Sequence, residues 1–192
     1  MRILINILFW LGLTIWIAMV TAPGIAGMSA FPVLIEEGAR IERFASFFTD
    51  DQEGMGRAVA GFVTGRVFFI TDTAQWVLGP LVTLLGLLTL RPMRLHGGPL
   101  AWAGMCLLCG ALVLTIWHNG VMGPRMEKDL QTYRMSAEND DRASANAAMA
   151  SFDEDHVTAE RLFGLRWCLL LGSVAGFAGG QRRGAEKGTR RS

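Results

Sequence analysis

Two sulfur atoms three positions apart, Cys106-x2-Cys109, are the first residues in this chain whose type and spacing suggest chemistry. Positions i and i+3 share one face of a helix, so the two thiols could act as a dithiol. A membrane dithiol relay passes its electrons to a second cysteine pair, and here only Cys168 remains. Gly104-Met105 and Leu107-Leu108 surround the pair, and a thiol in apolar surroundings is poorly ionised and inert. These cysteines therefore read as small packing residues, and none lies in a hydrophilic loop where a disulfide would be expected.

The histidines are His96, His118 and His156. His118 and His156 are expected near the ends of neighbouring helices, where two imidazoles could hold haem or copper. Ten methionines add soft donors, although methionine is also an ordinary apolar filler. No tight ligand cluster emerges, so the sequence assigns no metal and no cofactor. If one were bound, His118 and His156 would be its ligands; otherwise they cap helices or bind loop backbone.

Arg66 and Asp72 interrupt an apolar stretch. Charges at membrane depth are costly and are functional candidates by default. Six residues apart on a helix they point about 120° from each other, so they should not pair. Glu160, Arg161 and Arg166 are the available partners. The alternative is that this stretch lies at the interface and snorkels. Gly61-x3-Gly65 and Gly172-x3-Gly176 repeat the small-x3-small pattern that lets helices approach closely, and all four glycines are assigned to helix packing.

The elements that must position these residues follow from where charge is missing. The chain has 192 residues, 51% of them apolar and 18% charged, against about 25% charged in soluble domains. Net charge is +1, so no overall field points to nucleic acid. A helix crossing a hydrocarbon core needs about 20 apolar residues. Ile3 to Ile35 carries no charge, too long for one span, and Thr21-Ala22-Pro23-Gly24 predicts a break after a first helix over 3–20. A signal peptide competes for this stretch, with Val20-Thr21-Ala22 as its cleavage site, but Pro23 after the cut and a single Arg2 before the apolar run argue against it. A second helix is predicted over 67–90, kinked at Pro80, and a third over 99–117, opened by Pro99. Ser151 and Glu154 fit a capping box, which predicts the fourth helix over 152–179, with Arg166 snorkelling to the interface.

Lys and Arg collect on the cytoplasmic side of a membrane protein. Arg2, the connection with Arg91 and Arg94, and the tail over 181–192 with Arg182, Arg183, Lys187, Arg190 and Arg191 are basic. Glu36 to Arg57 holds six acids against three bases, and Arg125 to Arg161 nine against five. Both termini are thus expected in the cytoplasm of an inner-membrane protein, and the loops over 21–66 and 118–151 outside. Trp76, Trp117 and Trp167 would form an aromatic belt at the outer helix ends. The expected fold is an all-α, integral membrane four-helix bundle (residues 1–180), with a small helical outer cap from the two long loops.

Several short motifs together resemble a family of small four-helix membrane proteins that includes transmembrane protein 205: Ala22-Pro23, Ala60-Gly61-x3-Gly65-x3-Phe69, Gly123-Pro124-Arg125-Met126 and Phe152-x3-His156. Asp155 departs from that family's apolar residue before the histidine, and the acidic insertions near Asp50 and Asp140 are also unusual for it. The resemblance implies a four-helix fold and a membrane location, and no reaction. With no catalytic motif in the chain, the expectation is a non-enzymatic accessory or scaffold subunit whose partners are the lipid bilayer and another membrane protein. The alternatives are a small-solute transporter or permeability factor working through Arg66 and Asp72, and a haem- or copper-handling protein working through His118 and His156.

Overall fold

The computed structural model describes residues 1–93 and 98–189, with side chains for residue 1 and residues 3–90 and 98–181. Residues 94–97, with Arg94 and His96, the side chains of Arg2 and Arg91 and the basic side chains of the tail lie outside the described residues. Among those described there are only helices and turns: α1 (Arg2–Glu36), a 3₁₀ turn (Glu42–Phe44), α2 (Gln52–Met93), α3 (Gly98–Trp117), a π turn (His118–Met122), α4 (Gly123–Glu138) and α5 (Arg142–Thr189). Among the described residues, four helical stretches are long and apolar enough to cross a membrane: Ile3–Glu36, Gln52–Leu90, Gly98–Glu138 and Arg142–Gln181.

Three helices depart from the boundaries read from sequence. The break expected at Thr21–Gly24 does not occur; α1 is one helix of 35 residues that contains Pro23 and Pro32. A proline removes one backbone donor, whereas unwinding several residues in apolar surroundings would strand many. α2 begins at Gln52 instead of near 67. Asp51 caps it, its Oδ1 accepting the Gly54 N–H at 2.8 Å. The fourth helix begins at Arg142 instead of 152 and runs on to Thr189, through most of the expected tail. Its cap is Asp141, whose Oδ1 accepts the Ser144 N–H at 3.1 Å. Ser151, the expected cap, lies inside the helix and donates its hydroxyl to Asp129 at 2.9 Å. α3 covers Gly98–Trp117, and the π turn with Gly120 follows it.

The chain divides into two compact units. The first comprises Met1–Val20, Ala74–Trp117 and Leu162–Ser192. Its core takes Phe9, Leu13, Trp16 and Val20 from α1, spaced four, three and four apart, which keeps them on one helix face. Val82 and Leu90 of α2, Met105 and Leu108 of α3, and Leu170 and Phe177 of α5 meet them. The large rings fit notches: a Cβ at Gly79 would lie 3.1 Å from Trp16, and one at Gly86 would lie 3.2 Å from Phe9. Gly104 of α3 and Gly176 of α5 bring two backbones together, since a Cβ at Gly176 would lie 2.6 Å from the Gly104 Cα. Trp16 donates its indole N–H to the buried Gln75 Oε1 at 3.3 Å.

The second unit comprises Thr21–Thr73 and His118–Arg161. Phe44, Phe47, Met55, Ala137 and Ala145 form its core, with Phe48, Phe62 and Tyr133 packed on them. α4 and the first turns of α5 form an antiparallel hairpin, stitched by Ser151 to Asp129 and by Arg125 to Asp155 at 3.3 Å. Asp140, at φ 53°, makes the left-handed turn between them. Ala145 and Ala148 are buried, so the start of α5 packs through small side chains.

Candidate functional site

The second unit brings together Asp72 and His118, which sequence had singled out for different reasons. Helix α3 ends at Trp117, and the chain continues through a π turn, His118–Met122. Single π turns place extra side chains on one face and are frequent at functional sites. Here the turn aims two consecutive polar residues at the middle of α2. His118 Nε2 lies 3.9 Å from Asp72 Oδ2. Asn119 donates its side-chain N–H to the Asp72 main-chain carbonyl at 2.9 Å. Asn119 Oδ1 is buried and has no hydrogen-bond partner among the described residues.

At 3.9 Å the acid and the imidazole do not share a hydrogen bond but are close enough to attract when the imidazole is protonated. Both are partly shielded, with side-chain exposures of 15% for His118 and 25% for Asp72. A carboxylate and an imidazole so placed can bind a small cation or a hydrogen-bonding solute, and Asn119 fixes their register. Asn119 escaped the sequence reading: beside Gly120, after an apolar run, it signals only a turn.

Arg66 is exposed on α2. His156 is stacked on Phe152 at 5.2 Å and lies 3.3 Å from Glu160, one helical turn on. Among the described residues no group of three or more His, Cys, Asp or Glu is arranged to hold a metal ion, so His118 and His156 form no such site there. Arg166 is buried, 4% exposed, with its guanidinium 5.8 Å from the Phe163 ring. The cysteines are not packed in the core: Cys106, Cys109 and Cys168 are all exposed. Of the four assigned glycines, Gly172 and Gly176 sit against Leu107 and Gly104, whereas a Cβ at Gly61 meets nothing within 4 Å and one at Gly65 meets only Arg134, at 3.9 Å.

Comparison with protein-family models, with curated proteins and with solved structures finds no match for the chain.

Proposed function

We propose that this is a multi-pass inner-membrane protein, both termini cytoplasmic, serving as a non-enzymatic accessory or scaffold subunit of a membrane complex. The observation that carries the reading is the outward face of the long helices. Ile3, Ile7 and Leu11 of α1, Val77 and Leu84 of α2, Val113 of α3 and Leu165 of α5 are all exposed. Soluble proteins rarely leave such continuous apolar surface to water; lipid and partner helices are its natural neighbours. The resemblance to the four-helix family of transmembrane protein 205 agrees with this reading. Purification of the tagged chain in mild detergent tests it: a stoichiometric membrane partner is expected, and a solitary monomer from native membranes would contradict it.

The Asp72–His118 pair favours a second reading, a transporter or permeability factor for a small solute. Under it, Asp72→Asn abolishes flux in reconstituted vesicles, and unchanged flux rejects it. The third reading, haem or copper handling, gains nothing from the positions of His118 and His156; a Soret band or bound copper in the purified protein would revive it.

A further inference from the structure

In the second unit two guanidinium groups lie over one aromatic ring. Arg43 Cζ is 5.1 Å and Arg134 Cζ 4.2 Å from the centroid of Phe62. Each contact is a favourable cation–π interaction, yet together they hold two like charges no farther apart than the sum of those distances. Arg66 follows Gly65 on α2, where a Cβ would lie 3.9 Å from Arg134 Nη2, so its charge, like that of Arg43, acts on Arg134. The local acids compensate incompletely. Glu138 pairs with Arg43 at 3.2 Å, but Glu127 reaches Arg134 only at 3.8 Å, outside hydrogen-bond range.

Arginines gathered this way are suited to an oxyanion, because a guanidinium fork matches phosphate oxygens in pairs. The surroundings identify which kind. On α2, Val63, Phe69 and Ile70 lie within one turn of Arg66 and are exposed at 49%, 69% and 64%. A cationic group flanked by bare apolar side chains fits a phosphate that carries hydrocarbon chains. We propose that Arg43, Arg66 and Arg134 form a binding site for the phosphate headgroup of an anionic phospholipid, with the exposed face of α2 receiving its acyl chains. The inference rests on the membrane reading. It adds a specific ligand that the reading does not require.

The test uses the full chain in detergent, with native mass spectrometry after addition of phosphatidylglycerol, phosphatidylcholine or inorganic phosphate. Phosphatidylglycerol should be retained, and the Arg43→Gln/Arg134→Gln double variant should lose retention by about tenfold or more. Arg57→Gln, which removes a charge paired with Glu53, should retain it fully. Equal retention of phosphatidylcholine, undiminished binding by the double variant, or an equal loss in Arg57→Gln would overturn the proposal. Retention of inorganic phosphate with no retention of lipid would also overturn it, by assigning the cluster to a soluble anion. If the double variant loses its helical circular dichroism, Arg66→Gln, on the exposed face, takes its place with the same criteria. A chain that is soluble without detergent would contradict the membrane reading before any lipid is added, so the two failures are distinct.

Discussion

His118 and Asp72 meet across 46 positions of sequence because Asn119, the residue after His118, grips the Asp72 main-chain carbonyl at 2.9 Å. The grip uses backbone, so it is independent of the carboxylate. Asn119→Ala should therefore lower unfolding stability by about 1 kcal/mol, the usual worth of one such bond. Asp72→Asn keeps the main-chain carbonyl that Asn119 holds, so its effect on stability reads the carboxylate alone. Thermal unfolding in detergent compares the two, and a larger loss for Asp72→Asn would show that the carboxylate itself supports the fold.

Gly176→Ala places a methyl group 2.6 Å from the Gly104 backbone, and backbone cannot yield as a side-chain tip can. The expected cost is about 1–3 kcal/mol, typical of overpacking. Gly61→Ala enters open space inside α2 and should be neutral or stabilising by up to about 1 kcal/mol through helix propensity. Melting curves of the two variants give the contrast; equal shifts would mean that the α3–α5 contact is looser than described.

Gln75 is buried and accepts the Trp16 indole N–H at 3.3 Å. Gln75→Leu keeps the volume and leaves that N–H without this acceptor. A loss of about 1–3 kcal/mol is expected, read as a lower denaturation midpoint, and a rise in stability would show that the bond contributes nothing here.

Asp141 carries a pH dependence whose sign is fixed by its role. The Ser144 hydroxyl and backbone N–H hold its carboxyl below the usual carboxylate range. A depressed folded-state pKa adds stability that is present above the ordinary value, about 3.9, and is lost as pH falls through the lower folded value. The amides of the first turn of α5 should therefore be less protected at pH 2 than at neutral pH, exchanging closer to their intrinsic rate, and Asp141→Ala should lose that protection at neutral pH as well. Slow exchange at Ser144 in Asp141→Ala would show that the cap is dispensable.

The sequence is most informative where one physical factor decides. The apolar stretch opened by Pro99 and closed by Trp117 corresponds to α3 within one residue. Where two factors compete, the outcome depends on surroundings that a single sequence does not display. Pro23 argues for a break and apolar surroundings argue for continuity, and continuity prevails. Ser151 and Asp141 both have the form of a helix cap, and the alanines between them decide by packing against α4. The two glycine patterns are identical in form, yet one faces a helix backbone and the other open space, because the pattern permits approach without supplying a partner. Asp72 and His118 were each legible as unusual residues. Their pairing was not, since it depends on a π turn that no periodicity announces.

The central claim, that four helices cross a membrane with both ends inside, is tested most directly by thiol labelling in intact cells. Single cysteines are introduced as Ser46→Cys, Ala143→Cys or Ser192→Cys in a chain lacking Cys106, Cys109 and Cys168, and a membrane-impermeant maleimide is applied. The account predicts labelling at 46 and 143 in intact cells and at 192 only after permeabilisation, with the chain remaining in the membrane fraction through an alkaline carbonate wash. Labelling at 192 in intact cells, or release of the chain by carbonate, would contradict it.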